Sequence, residues 1–143
     1  MVRLDRNARS FSPKYALLSA LREHLAQLNQ PGGLHLALEA PEALPELSAA
    51  VEVAVYRIVL EALTNVVRHA HARVCLVRLE LGTAGELCLS ISDDGTGLPT
   101  DMHAGVGITS MRERAAELGG TCQLSTCSPH GTCVDMRLPL AKE

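Results

Sequence analysis

The segment formed by residues 48–70 constrains the fold most strongly, because its pattern predicts one long amphipathic helix. Ser48 is a suitable N-cap for that helix. Glu61, Asn65 and Arg68 follow one another at spacings of four and three, so they stack in a row along one face. The opposite face is apolar and is expected to be buried; it contains Val55, Ile58, Val59, Ala62, Leu63 and Val66.

The remaining segments alternate between helical and strand-like patterns. A first helix begins at Pro13 with Ser12 as its cap and ends before Pro31, and a third helix covers residues 108–118. Strands are predicted over residues 34–38, 73–81, 86–92, 121–126 and 132–138. The order α-β-α-β-β-α-β-β predicts an α+β fold, a two-layer α/β sandwich with a mixed, mainly antiparallel sheet and helices on one face.

Length and charge narrow the possible functions. At 143 residues, we expect one domain over residues 12–143, preceded by a lead-in over residues 1–11 that is disordered or the remnant of a helix. A formal net charge of −3 argues against nucleic-acid binding. The most apolar stretch, residues 51–67, is interrupted by charged residues, and no signal peptide is visible. We therefore expect a monomeric, cytoplasmic domain without membrane contact of its own.

Cysteine and histidine residues do not form a convincing metal site in the sequence. The 5 cysteines contain no C-x-x-C pair and fall in strand-like segments, so we expect free buried thiols in a reducing compartment. His69 and His71 could form a metal pair, but the sequence offers no third ligand nearby.

Two glycine-rich segments follow the long helix. Asp93-Asp94-Gly95-Thr96-Gly97 comes directly after a predicted strand, and Gly105-Val106-Gly107 directly precedes a predicted helix. Glycine allows close approach of the backbone to a ligand, and a helix N-terminus favours phosphate. Together with the carboxylate, amide and guanidinium of the polar row, these segments predict a pocket for a nucleotide with a metal-bound phosphate.

In this order, the three segments resemble the N box and the two glycine boxes of the ATP-binding catalytic domain of bacterial sensor histidine kinases. That domain has the Bergerat fold of the GHKL superfamily, shared with gyrase, heat-shock chaperone and mismatch-repair ATPases. The run Gly107-Ile108-Thr109-Ser110-Met111-Arg112-Glu113-Arg114 is similar to the nitrate-sensor-like subfamily in particular. The resemblance spans residues 47–140 and implies ATP and Mg²⁺ as cofactors.

The resemblance implies roles on the phosphate side of the pocket. Asn65 would bind Mg²⁺ through its amide oxygen, and Glu61 would be the catalytic residue, polarising the attacking group or holding a metal-bound water. Arg68 and His69 would contact the phosphates or the ribose. Each has a plain alternative: a solvated helix face for Asn65, an ion pair with Arg57 for Glu61, and a dipole-favoured position at the helix end for His69.

The resemblance also implies roles on the base side. Asp93 would accept a hydrogen bond from the adenine amine, and Gly95 and Gly97 would keep space clear beside the base. Thr132 would support Asp93 through its hydroxyl group. The loop formed by Gly105, Val106 and Gly107 would contact the phosphates. The alternative for Asp93 is an ordinary D-D-G turn, and we interpret Asp94 as such a turn residue. The alternative for Thr132 is a threonine that is present only because it favours a strand.

A phosphoacceptor histidine is the part of a kinase that the sequence does not supply. Leu21-Arg22-Glu23-His24 lacks the acidic neighbour expected after it, so we interpret His24 as a surface residue. The phosphate would pass to a histidine on a separate dimerisation domain and then to a response regulator. An anti-sigma-type serine kinase and a nucleotide-gated binding module without transfer activity remain alternatives. Residues 98–104 would form a short ATP lid that is mobile without nucleotide.

Overall fold

A computed structural model describes residues 13–29, 31–96, 107–127 and 130–140 of the chain. The predicted lead-in and the predicted lid therefore lie outside the described residues. The elements are α1 (Pro13–Leu28), β1 (His35–Glu39), α2 (Ala49–Asn65), a π-helical turn (Val66–Ala70), β2 (Val74–Leu81), β3 (Leu87–Asp93), α3 (Ile108–Glu117), β4 (Thr121–Thr126) and β5 (Thr132–Leu138).

The strands form one sheet with the order β1-β2-β3-β5-β4. β1 runs parallel to β2, and α2 lies in the connection between them, while every other neighbouring pair is antiparallel. Ile91 of β3 lies at the centre, opposite Val77 on one side and Val134 on the other. The predicted α+β sandwich with a mixed, mainly antiparallel sheet is confirmed.

The core lies between the sheet and the helices. α1 contacts β1, α2 contacts β3, and α3 contacts β4 and β5. The apolar face predicted for α2 is buried throughout, and α1 buries Leu17, Leu21 and Leu25, with Leu28 partly buried. Because these side chains are almost all aliphatic, truncating a fully buried one such as Leu63 to alanine is expected to cost about 2–5 kcal/mol.

Two side chains at helix ends make hydrogen bonds with the backbone. Ser48 caps α2, and its Oγ accepts a hydrogen bond of 3.2 Å from the Val51 amide. Asn29, just after α1, donates from Nδ2 to the Leu36 carbonyl at 3.1 Å, and its Oδ1 accepts from the Leu36 amide at 2.6 Å. Asn29 thus takes over backbone hydrogen bonding on the open edge of β1.

The structure corrects three details of the sequence-based prediction. The last residues of the predicted long helix form the π-helical turn, which ends at His71 with φ of 52°. Asp93 belongs to β3 rather than to the loop after it. His24 is partly buried instead of lying free on the surface, and its ring meets Tyr56 edge-on at a centroid distance of 6.2 Å.

The cysteines are free thiols, of which Cys75 and Cys122 are buried and the others partly buried. Burial raises the pKa of the Cys75 thiol to about 12, so this group stays protonated at neutral pH. Within the described ranges, no helix combines the length and apolar character needed to cross a membrane.

Candidate functional site

Asp93 ends β3 and is the one buried polar or charged residue of the part of the chain that the structure describes. Its Oδ1 accepts hydrogen bonds from the Gly95 amide at 2.8 Å and the Thr132 amide at 3.3 Å. Desolvation raises the pKa of the Asp93 carboxyl, although these two hydrogen bonds oppose the shift. A costly buried carboxylate held in one orientation is the kind of group that recognises a ligand.

A small cavity of about 10 Å³ lies beside Asp93. Its walls come from the end of α2, the first residue of the π-helical turn and the three strands β3, β4 and β5. The cavity has room for about one water molecule, and most of its lining is aliphatic, which suits contact with the face of a flat ring. The lining residues are Ala62, Asn65, Val66, Ile91, Asp93, Leu124, Thr132 and Val134.

The hydroxyl group of Thr132 also belongs to this pocket. Its Oγ1 is buried and has no hydrogen-bond partner within the described residues. An unsatisfied buried hydroxyl costs about 1–3 kcal/mol, so such groups in native proteins usually serve a ligand or water. The pocket therefore presents one fixed acceptor, Asp93, beside one hydroxyl that still needs a partner.

The polar row on α2 connects this pocket with α3. Asn65 is half-buried and lines the pocket, and Glu61 lies one helical turn before it. A Cβ added to Gly107 would collide with the carboxylate of Glu61, which shows how closely the two residues meet. Gly107 is the N-cap of α3 with φ of 89°, a conformation that favours glycine. The structure thus brings Glu61 to the N-terminus of α3.

The ion pairs observed within the described residues join Arg78 to Glu39 and Arg137 to Glu86. Arg57 and Glu61 form no ion pair in this part of the chain. Arg68, the third member of the polar row, is one of the residues of the π-helical turn, and its side chain is exposed. π-helical turns occur frequently at functional sites.

Some predicted site residues cannot be placed. Gly97, Gly105 and Val106 lie outside the described residues, as does the side chain of His69. Their proposed contacts with nucleotide stay predictions, and so does the mobility of the lid over residues 98–104.

Asp94 makes structural contacts at the end of β3. Its Oδ1 accepts from the amides of Arg73 and Val74 at 2.9 and 3.0 Å, which joins the start of β2 to the end of β3. These hydrogen bonds lower the pKa of the Asp94 carboxyl. The interpretation of Asp94 as a structural residue agrees with these contacts.

Sequence reasoning missed two residues of the turn between β4 and β5. His130 contacts the Gly95 carbonyl through Nδ1 at 2.8 Å. Gly131 packs so closely on the Asp93 carbonyl that a Cβ there would collide with it. In the sequence, only their position next to Thr132 pointed to a role in the pocket. His130 and Gly95 are 35 positions apart, and a contact over that separation leaves no local sequence pattern.

Comparison with known proteins finds similarity to sensor histidine kinases and to an ATP binding domain. The chain is 38% identical over 127 residues to the sensor histidine kinase YxjM of Bacillus subtilis, covering 86% of the chain and 30% of the relative. It is 34% identical over 122 residues to the nitrate/nitrite sensor protein NarQ of Escherichia coli, covering 84% and 22%. The ATP binding domain of PrrB from Mycobacterium tuberculosis has a similar fold, with a TM-score of 0.64, 24% identity and coverage of 89% of this chain and 93% of that one.

The chain spans less than a third of the length of YxjM and of NarQ. The resemblance to sensor histidine kinases is confirmed. Residues 50–142 match the model of the family described as histidine kinase-, DNA gyrase B- and HSP90-like ATPase. That match covers more than half of the chain and includes the polar row, β3 and β5. The protein belongs to the histidine kinase-, DNA gyrase B- and HSP90-like ATPase family, as an ATP-binding domain of the sensor histidine kinase type.

Proposed function

We propose that the domain binds Mg-ATP in this pocket and transfers the γ-phosphate to a histidine on a separate phosphoacceptor domain. The observation that carries the base side of the proposal is the buried Asp93 carboxylate, held through Oδ1 by two backbone amides. Its second oxygen, Oδ2, would accept a hydrogen bond from the exocyclic amine of adenine. Guanine presents a carbonyl at the same position, so its oxygen would face a carboxylate.

Thr132 supplies the second group for base recognition. Its unpartnered, buried Oγ1 lies on the same pocket as Asp93. A hydroxyl can donate to a ring nitrogen of adenine or bind a water that bridges base and carboxylate. The aliphatic walls formed by Ala62, Ile91 and Val134 would pack on the faces of the ring.

Glu61, Asn65 and Gly107 mark the phosphate side of the proposal. The described residues contain no cluster of three acidic, histidine or cysteine side chains. Mg²⁺ does not need such a cluster, because it keeps several waters and binds one or two protein oxygens together with phosphate. The amide of Asn65 and the carboxylate of Glu61, one turn apart, fit this requirement directly and through water. The metal would neutralise charge on the phosphates when bound.

Four further residues complete the proposed phosphate site by their position in the family motifs. Arg68 and His69 would counter phosphate charge or contact the ribose. Gly105 and Val106 directly precede Gly107, whose free backbone at the start of α3 favours an anion. Gly97 would keep space clear beside the base.

Glu61 is the residue that we propose to act in the transfer itself. An imidazole attacks phosphorus through one ring nitrogen, while the other ring nitrogen carries a proton. A carboxylate that accepts a hydrogen bond from that N–H orients the ring and increases its nucleophilicity. Glu61 lies against the N-terminus of α3, where a phosphate would be stabilised.

A reconstituted transfer reaction tests the proposal. The domain would be mixed with a histidine-bearing dimerisation domain of a related sensor kinase and with ATP labelled at the γ-phosphate. We expect an acid-labile, alkali-stable label on the acceptor and none on the domain alone. Asp93→Asn and an acceptor lacking its histidine are the controls. Transfer of label to the response regulator would extend the reaction one step.

Two results would contradict the proposed transfer. An acid-stable label on serine would indicate a serine kinase. ATP binding without any label on the acceptor would indicate a nucleotide-gated binding module.

A further inference from the structure

We infer that His130 is a positioning residue for the nucleotide pocket, because it holds the peptide that orients Asp93. The inference rests on the proposed function, since it assumes that Asp93 reads the base. It concerns a residue outside the N box and both glycine boxes.

The turn between β4 and β5 contacts the end of β3 through three successive residues. The His130 Nδ1 lies 2.8 Å from the Gly95 carbonyl oxygen. Gly131 packs on the Asp93 backbone, with no room for a side chain. The Thr132 amide donates to Asp93 Oδ1 at 3.3 Å. The turn itself is closed by a hydrogen bond of 3.1 Å from the Cys127 amide to the Gly131 carbonyl.

Gly95 is therefore held on both sides. Its N–H donates to Asp93 Oδ1 at 2.8 Å, and its carbonyl accepts from His130. Gly95 is buried although it lies beyond the last residue of β3, where no sheet ladder restrains it. Because glycine permits a wide range of backbone angles, loss of the His130 contact would let Gly95 rotate and draw its N–H away from Asp93.

The chemistry of the contact fixes the form of the imidazole ring. A carbonyl oxygen can only accept, so Nδ1 must carry the hydrogen. Both the neutral Nδ1–H tautomer and the imidazolium retain that donor. Asp94 is the charged group that interacts with His130, and its carboxylate is held by β2. Either of these two forms can therefore donate to the Gly95 carbonyl.

Side-chain geometry provides matched variants. The Nδ2 of asparagine is bonded to Cγ, as the histidine Nδ1 is, so His130→Asn can place an N–H donor near the same point. The Nε2 of glutamine is one bond further from the backbone and corresponds to the histidine Nε2. His130→Gln therefore keeps an amide and a similar size but misplaces the donor, and His130→Ala removes it.

Calorimetric titration of ATP and GTP into the four proteins tests the inference. We expect His130→Ala and His130→Gln to weaken ATP binding about 2- to 12-fold and to reduce the preference for ATP over GTP. His130→Asn should stay within about twofold of wild type. A purely structural role would lower the melting temperature without changing the preference between the two nucleotides. Equal ATP affinity in all four proteins, or equal loss in all three variants, would overturn the inference.

A second measurement needs no nucleotide. Long-range ¹H–¹⁵N correlation spectra at alkaline pH report which ring nitrogen of His130 carries the hydrogen, and we expect the Nδ1–H tautomer. An Nε2–H tautomer would refute the contact and with it the inference. Wild-type protein that has the Nδ1–H tautomer but binds no adenine nucleotide would instead contradict the proposed function.

Discussion

Replacing Asp93 with asparagine changes the chemistry of one pocket atom and leaves the surrounding backbone contacts possible. The amide oxygen can still accept from Gly95 and Thr132, as the carboxylate Oδ1 does at 2.8 and 3.3 Å. The second oxygen becomes an NH₂ group, which donates. That donor would then face the donating amine of adenine, so the proposed hydrogen bond to the base is lost.

The expected magnitude follows from the kind of hydrogen bond. A hydrogen bond to a charged group contributes about 1.5–3 kcal/mol, so Asp93→Asn should weaken ATP binding about 10- to 150-fold. Inosine triphosphate, which carries a carbonyl in place of the amine, should bind the variant more tightly than it binds wild type. Calorimetric titration of wild type and variant with both nucleotides, at one Mg²⁺ concentration, measures the ratio of ATP affinity to inosine triphosphate affinity in each protein.

The stability of the ligand-free protein against unfolding provides a control, because Asp93→Asn should not lower it although the substitution lowers the affinity for ATP. Burial raises the pKa of Asp93 above its ordinary value of 3.8, so the charged form is less favourable in the folded than in the unfolded state. The wild type therefore loses stability as the pH rises from 3.8 through the folded pKa, and Asp93→Asn does not. At neutral pH the variant should melt at the same or a higher temperature. An unchanged ratio of ATP to inosine triphosphate affinity in a folded variant would refute the assignment of Asp93.

Three further substitutions test other parts of the pocket. Asn65→Ala should remove the dependence of ATP binding on Mg²⁺, measured by titration with and without chelator, and an unchanged dependence would exclude Asn65 from the metal site. Thr132→Val, which replaces a buried unpartnered hydroxyl, should maintain or raise the melting temperature but weaken ATP binding severalfold; a lower melting temperature would contradict this. Gly107→Ala should cost about 1–2 kcal/mol of unfolding free energy for its backbone angle, and the added Cβ should displace the Glu61 carboxylate. Gly32→Ala, at φ of 77° in open space, is the matched control; a similar loss is expected in both variants, and a much larger loss at Gly107 would contradict a Glu61 carboxylate that moves aside.

The fold was predictable from the sequence wherever a repeating pattern reflects burial. The apolar residues of α2 recur at helical spacing because they all face the sheet, and all six predicted ones are buried. Alternation likewise identified β2 and β3, since Val77 and Leu79 of β2 and Leu87, Leu89 and Ile91 of β3 are buried, whereas Leu81 at the end of β2 is exposed. Helical spacing placed Glu61 and Asn65 on one face, and the family resemblance added Asp93 and Thr132, which line the same pocket as Asn65.

What the sequence did not reveal depends on contacts between distant residues. The π-helical turn is a change of hydrogen-bond register that leaves the amino-acid pattern helical. The parallel pairing of β1 with β2 depends on how the chain crosses over through α2, which strand composition does not encode. The contact between His130 and Gly95 joins two turns, and neither turn carries a periodic pattern.

The position of β5 in the sheet has a consequence for folding during synthesis. β5 follows the other described strands along the chain, yet it lies between β3 and β4. Until residues 130–138 have left the ribosome, β3 keeps an unpaired inner edge and Asp93 lacks its hydrogen bond from Thr132. A nascent chain arrested before Thr132 should therefore expose β3 to chaperones and bind no ATP, so the nucleotide pocket forms only when translation of the sheet is complete.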